Sequence, residues 1–128
     1  MNRAMKLLVL LYENEEDKDS WYGIDLDGTL AFYDKWEGNE HIGEPVPEMV
    51  KKVKALLDQG KNAKIMTARV SPENGDVTKI RELIQQWCKE HLGKTLLVTH
   101  EKDHKMIELW DDRVRQVVKN TGKFIDEE

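Results

Sequence analysis

Short apolar runs alternate with amphipathic segments along most of this chain. The runs predict strands, and they lie at residues 21–27, 62–66, 96–98, 107–110 and 114–118. Between them, Pro47 suits the first position of a helix that Gly60 ends, and a second helical stripe runs from Val77 to Gly93. Because right-handed crossovers join strands that alternate with helices, the pattern predicts an α/β fold, a three-layer sandwich around a mostly parallel sheet.

Size and composition narrow the class further. The chain has 128 residues, of which 39% are hydrophobic, so it is long enough for one domain with its own core. The single cysteine, Cys88, allows no intrachain disulfide, and we expect a reducing, cytoplasmic setting. The net charge of -5 argues against non-specific binding to nucleic acid or to anionic membranes. No apolar run reaches the length of about 20 residues that a membrane span needs.

The amino-terminal residues follow a different pattern. The apolar run at residues 7–12 is shorter than the core of a secretory signal, which has about 7 to 15 apolar residues, and acidic residues follow it at once. We therefore expect residues 1–20 to be an extension, or an edge strand at residues 5–12. Residues 21–128 are predicted to form a single domain, in which residues 31–44 are a loop.

Two carboxylates lie at the end of the first predicted strand. Asp25 and Asp27 point the same way in an extended chain, and Gly28 lets the backbone turn tightly around a ligand. Carboxylates this close repel each other unless one is protonated or a cation lies between them. Mg²⁺ typically binds one or two carboxylates together with phosphate oxygens, so the pattern predicts a magnesium site.

Polar groups also follow two other predicted strands. Thr67 and Arg69 come after the second strand, and Asp111 and Asp112 follow the fourth. Ligands of open α/β sheets bind at the carboxyl ends of the strands, so we expect these groups to meet there.

The first carboxylate pair lies in a run that resembles the first motif of the haloacid dehalogenase-like (HAD) superfamily, Asp25-Leu26-Asp27-Gly28-Thr29-Leu30. Members of that superfamily share a Rossmann-like fold and are mostly Mg²⁺-dependent phosphohydrolases. The resemblance implies that Asp25 attacks phosphorus and binds metal. It also implies that Asp27 is the general acid and base, and a metal ligand through its carbonyl, and that Gly28 lies at the phosphate.

Three further motifs of the superfamily have counterparts here. Thr67, with the amide of Ala68, resembles the second motif and would bind a phosphoryl oxygen. Lys102 stands nine residues before Asp111 and is the preferred third-motif lysine, with Lys105 as its competitor. The resemblance also implies that Asp111 binds the metal directly. Asp112 would support it through water, and Arg113 would pair with these carboxylates, with direct phosphate contact as the alternative.

The loop at residues 31–44 is where the superfamily places its cap or specificity elements, and it is too short for a large cap. The following side chains are candidates for substrate contact: Phe32, Tyr33, Trp36, His41 and Arg69. The alternative for the loop residues is packing against the first helix. In the superfamily, members without a cap act on large substrates or cover the site with a neighbouring subunit, so a homo-oligomer is one of two arrangements.

The motifs together imply a phosphatase that hydrolyses phosphate monoesters through an aspartyl-phosphate, with a phosphorylated small molecule as substrate. A nucleic-acid end is an alternative, because the segment 67–69 resembles the second motif of polynucleotide 3′-phosphatases, but the acidic net charge disfavours it. The same residues would also suit a non-catalytic binding module on this scaffold, or an enzyme that transfers the phosphoryl group to an acceptor different from water.

Overall fold

A computed structural model describes residues 2–4 and 17–127. The regular elements are, in chain order, β1 (Trp21–Asp25), α1 (Pro47–Asp58), β2 (Asn62–Met66), α2 (Thr78–Leu92), β3 (Leu97–Thr99) and β4 (Met106–Trp110). Two single-turn 3₁₀ helices, Ala68–Val70 and Pro72–Asn74, connect β2 to α2. The predicted α/β class is confirmed, whereas the edge strand expected at residues 5–12 lies outside the described residues.

The four strands form one all-parallel sheet in the order β3-β2-β1-β4. β1 pairs with β2 from Trp21 opposite Asn62 to Asp25 opposite Met66. On its other side β1 pairs with β4, with Ile24 opposite Trp110. The ends of β2 and β4 therefore flank the end of β1, and this border is called the carboxyl edge below. The opposite border, where β1 and β4 begin, is the amino edge.

The two helices pack against each other and against β2 and β3. Pro47 begins α1, and Gly93, in the left-handed conformation with φ of 80°, ends α2. Apolar residues of the helices and strands form one core, which includes Ile24, Leu26, Leu30, Val53, Ile65, Ile84, Cys88 and Val98. Within the described ranges, neither helix is both long and apolar enough to cross a membrane.

The connection from β3 to β4 contains no helix. Residues 100–105 carry the chain to the far side of β1, where Trp21 is 1% exposed. The indole Nε1 of Trp21 donates to Asp103 Oδ1 at 2.8 Å, and Lys64 Nζ lies 4.5 Å from the ring centre. This tryptophan thus links the short connection to the sheet.

The fifth strand predicted at residues 114–118 is wrong. The segment forms an irregular hairpin, in which Val117 makes an isolated antiparallel bridge with Phe124. Asn120, with φ of 64°, allows the turn. Val114 and Val117 are at least half exposed, and among the described residues this run joins no strand of the sheet.

Candidate metal centre and its acid-base neighbour

Three carboxylates meet at the carboxyl edge. Asp25 ends β1, whereas Asp111 and Asp112 directly follow β4. Each offers one oxygen, and these oxygens all lie within 4.8 Å of one another. We call these three residues the carboxylate cluster. The structure therefore brings together three of the four residues that the sequence assigned to a metal.

Thr29 connects two members of the cluster. Its Oγ1 lies 3.2 Å from Asp25 Oδ2 and 3.0 Å from Asp112 Oδ1, so its single proton can serve either oxygen. The same Oγ1 accepts the Asp112 amide at 3.0 Å. Thr29 is 8% exposed and was given no role in the sequence analysis. The sequence feature that could have identified Thr29 is its position in the turn that follows Asp25 and Asp27.

The pKa values of Asp25 and Asp112 are shifted in opposite directions. Burial, the hydrogen bond with Asp112 and the negative charge of Asp111 together raise the pKa of Asp25 to about 7. Desolvation opposes ionisation of Asp112, but hydrogen bonds from Asp25 and Thr29 outweigh it, so the pKa of Asp112 lies below its usual value. Without a cation, Asp25 therefore holds a proton more tightly than an ordinary aspartate, and Asp112 holds one less tightly.

Asp27 does not join the cluster but pairs with Arg69. Arg69 Nε donates to Asp27 Oδ2 and Nη2 to Oδ1, both at 2.8 Å. The Arg69 side chain is 5% exposed and that of Asp27 is 22% exposed. A bidentate pair of this kind fixes the plane of the carboxylate. The sequence did not predict this pair. The available signal was that Asp27 and Arg69 carry opposite charges and follow two strands that pair with each other.

Arg69 also holds the loop at residues 31–44, called the cap loop below. Its Nη1 donates to the carbonyl of Asn39 at 2.7 Å, and its guanidinium lies 4.9 Å from the ring centre of Trp36. The predicted substrate contact Arg69 is therefore engaged within the protein. It ties the cap loop to the acid-base candidate.

Gly28 is needed for close packing at the cluster. Its φ is +86°, and a Cβ built on it would lie 2.8 Å from Asp112 Oδ2. Its amide donates to the Ala31 carbonyl at 2.8 Å, which is a contact within the turn. The predicted phosphate contact of Gly28 stays a prediction.

Thr67 is 5% exposed and directly follows Met66, the register partner of Asp25. Its Oγ1 accepts the Arg69 amide at 3.2 Å, and its own amide donates to the Thr99 carbonyl at 2.8 Å. Neither of these contacts uses the proton of the Thr67 hydroxyl. Ala68 begins the 3₁₀ turn that directly follows Thr67. Their phosphate-binding roles stay predictions.

The two lysine candidates lie in different places. The Lys105 carbonyl accepts the Trp21 amide at 3.0 Å, and Lys105 Nζ pairs with Asp17, so Lys105 belongs to the amino edge. Lys102 is exposed in the connection after β3, and within residues 2–4 and 17–127 it has no ion-pair partner. In the described part of the chain, neither lysine forms an ion pair with the carboxylate cluster. The preference for Lys102 stays a prediction.

Arg113 contacts the cluster through its backbone. Its amide donates to Asp111 Oδ1 at 2.8 Å. Asp111 is partly buried and Asp112 is exposed, while both belong to the cluster. The division between direct ligand and supporting residue stays a prediction.

The cap loop is fastened at its base. The amide of Phe32 donates to the Glu44 carbonyl at 2.7 Å, and Trp87 Nε1 donates to the Gly43 carbonyl at 3.1 Å. His41 Nε2 lies 2.7 Å from Glu37 Oε2 within the loop. A cavity of about 280 Å³ lies between the loop and the Asp27–Arg69 pair.

The residues of the cluster fit a hard divalent cation. Their donors are carboxylate oxygens alone, the ligand type that Mg²⁺, Ca²⁺ and Mn²⁺ prefer. Burial, the hydrogen bond with Asp112 and the charge of Asp111 raise the pKa of Asp25, and a bound cation would favour its ionised form. Comparison with family models, with curated proteins and with solved structures gave no match.

Proposed function

We propose that this protein is a Mg²⁺-dependent phosphatase that hydrolyses phosphate monoesters through an aspartyl-phosphate at Asp25. The observation that carries the proposal is the carboxylate cluster at the carboxyl edge, with oxygens within 4.8 Å of one another. The resemblance of residues 25–30 to the first HAD motif supplies the reaction class. Mg²⁺ would be held by Asp25, Asp111 and Asp112, and it would neutralise phosphoryl charge.

In the proposed first step, one oxygen of Asp25 attacks phosphorus as the bond from phosphorus to the ester oxygen breaks. Asp27 gives its proton to the departing alcohol. In the second step Asp27 takes a proton from water, and the water oxygen attacks the same phosphorus. The bond from phosphorus to Asp25 then breaks, which releases inorganic phosphate and restores the carboxylate.

Further residues have roles in this proposal. The Thr67 hydroxyl, the Ala68 amide and Lys102 hold the phosphoryl oxygens. Arg69 donates to both oxygens of Asp27 and would hold the plane of this carboxyl group during proton transfer. The buried guanidinium would therefore position the proposed acid-base residue.

The test is a panel of phosphate monoesters assayed with Mg²⁺ and with a chelator. We expect Mg²⁺-dependent release of phosphate that Asp25→Asn abolishes and that Asp126→Asn, at an exposed carboxylate of the hairpin, leaves unchanged. Hydrolysis that persists in chelator would refute the metal-dependent mechanism.

A second candidate is a binding module that keeps the metal site without turnover. The observation that favours it is the position of the lysines, neither of which forms an ion pair with the described cluster. This candidate predicts Mg²⁺ binding at the cluster with no hydrolysis of any ester in the panel. Mg²⁺ binding and turnover, measured on the same preparation, therefore separate the two functions.

A further inference from the structure

The exposed aromatic side chains of the described residues all lie in the cap loop. Phe32 is 60% exposed, Tyr33 is 46% exposed and Trp36 is 54% exposed. Single exposed apolar residues are ordinary, but three aromatic residues within five positions concentrate exposed apolar surface on one loop. This surface stands beside the proposed catalytic residues.

The cavity of about 280 Å³ includes Phe32 and Tyr33 in its walls, together with Asp27 and Arg69. The carboxylate cluster is not part of the described wall, so the cavity lies on the Asp27 side of the site. In the proposed mechanism Asp27 protonates the departing alcohol. The group that occupies this cavity is therefore the alcohol part of the substrate.

The cap loop holds these aromatic residues in a fixed arrangement. A Cβ at Gly43 would lie 2.0 Å from the Phe32 carbonyl oxygen, so the two backbones approach as closely as glycine allows. The Trp87 indole holds the Gly43 carbonyl, and Arg69 holds that of Asn39. Because the loop is tied at base and tip, a ligand would bind with little loss of loop entropy.

The charges in the cavity disfavour an anionic alcohol. Asp27 is neutralised by Arg69, and Glu37 is paired with His41. The remaining wall carboxylates, Asp34 and Glu44, outnumber the remaining cation, Lys35. An additional phosphate in the alcohol part would meet net negative charge, which argues against a polynucleotide strand that continues through the cavity.

We propose that the substrates are nucleoside monophosphates, with the base stacked on Phe32 and Tyr33. This inference rests on the proposed function. A nucleoside is uncharged, has a flat aromatic face and carries hydrogen-bonding groups, which matches the aromatic and mixed polar walls. The cavity is close to the lower end of ligand-pocket volumes, about 300 Å³, so it suits one nucleoside.

The test compares adenosine 5′-monophosphate with ribose 5-phosphate, which has the same phosphate and sugar without the base. Affinities are measured with Mg²⁺ on the Asp25→Asn protein, so that turnover does not interfere. We expect the nucleotide to bind roughly 5- to 150-fold more tightly, the range for stacking of one base on an aromatic side chain. Equal affinities, or no detectable binding of either ligand, would overturn the inference.

The double substitution F32L and Y33L, added to the Asp25→Asn protein, should remove the preference for the nucleotide without weakening ribose 5-phosphate binding. Val114→Ala in the same background changes an exposed apolar residue outside the loop and should preserve the preference. If the double variant does not fold, the ratio of the two affinities in the Asp25→Asn protein still decides. A dinucleotide that binds more tightly than the mononucleotide would contradict the assignment in favour of a nucleic-acid end.

The proposed activity can fail separately from this inference. Hydrolysis of p-nitrophenyl phosphate by the unaltered protein tests the reaction, because this ester has no base. Turnover together with equal affinities would overturn only the nucleoside assignment. A clear preference for the nucleotide without turnover of any ester would support the aromatic subsite and refute the phosphatase.

Discussion

Both edges of the sheet carry aspartates, but these lie in opposite electrostatic settings. At the amino edge, Lys105 pairs with Asp17 and Lys64 Nζ lies 4.0 Å from Asp103 Oδ2. The Trp21 indole and the Lys105 amide donate to Asp103 and hold the pKa of that carboxyl below its usual value. At the carboxyl edge, burial and two neighbouring aspartates raise the pKa of Asp25 to about 7.

The difference separates structural carboxylates from those of a candidate site. A carboxylate that only links elements of the fold gains stability from a cation or from N–H donors, as Asp103 does. Three carboxylates placed together cost free energy in the folded chain unless a proton or a metal ion compensates. Such a cluster is expected at a site where a bound cation compensates the negative charge.

The largest expected effect comes from replacing one carboxylate at each edge. Asp25→Asn should lower turnover of a phosphate monoester by at least roughly 10³-fold, because the amide cannot attack phosphorus. Asp103→Asn at the amino edge should leave turnover within about twofold, since its amide oxygen can still accept from Trp21. Steady-state assays with Mg²⁺ check both variants. Similar losses in the two variants would remove the functional distinction between the edges.

Ion pairs at the two edges should also differ in what they contribute to stability. Arg69→Met should lower the free energy of unfolding by about 2 to 4 kcal/mol, because it leaves the partly buried Asp27 unpaired and releases the cap loop. Lys105→Met removes a half-exposed pair and should lower the free energy of unfolding much less, because solvent screens this pair. Urea denaturation measures both. A larger loss for Lys105→Met would contradict this ranking.

Within the carboxylate cluster, the two residues after β4 should differ in Mg²⁺ affinity. Loss of a residue that supports a metal ligand costs about 10- to 100-fold in metal affinity, and loss of a direct ligand should cost no less. Asp111→Ala should therefore weaken Mg²⁺ binding at least roughly tenfold. Asp112→Ala should weaken it less, and calorimetric titration gives both affinities. The reverse order would exchange the direct and supporting roles of the two aspartates.

The last expected effect is a pH dependence of stability. Because the pKa of Asp25 is raised in the folded chain, the folded state binds a proton more tightly than the unfolded state between about pH 4 and pH 7. The contribution of Asp25 to stability should therefore fall as pH rises through this window. Thermal unfolding in chelator should show a steeper fall for the unaltered chain than for Asp25→Asn, which lacks this group. Identical pH profiles would contradict the raised pKa.

Much of the site could be predicted because strand ends in a parallel sheet share one edge. The positions of Asp25, Asp111 and Asp112 could be predicted from the apolar runs that precede them. The same rule bears on Lys105, which precedes a strand instead of following one. Since β4 begins at Met106, the residue before it lies at the amino edge. The direction of this strand therefore disfavours Lys105 as a residue of the site at the carboxyl edge.

Some features depend on side-chain paths that no local pattern specifies. The pairing of Arg69 with Asp27 joins residues 42 positions apart and also requires the cap loop to fold back to the guanidinium. The run at residues 114–118 has apolar content typical of a strand, yet it has no partner strand in the described sheet. A strand needs a neighbour, and the presence of that neighbour is a property of the whole fold.

The carboxyl carbon resonances of the aspartates give the most direct test of the contrast between the two edges, with Mg²⁺ added after a pH titration in chelator. We predict that Asp25 titrates near pH 7, whereas Asp17 and Asp103 titrate below the usual range. Mg²⁺ should then shift the resonances of Asp25, Asp111 and Asp112 and leave those of Asp17 and Asp103 in place. An ordinary pKa for Asp25, together with no Mg²⁺-dependent shift in the carboxylate cluster, would contradict the proposed metal centre.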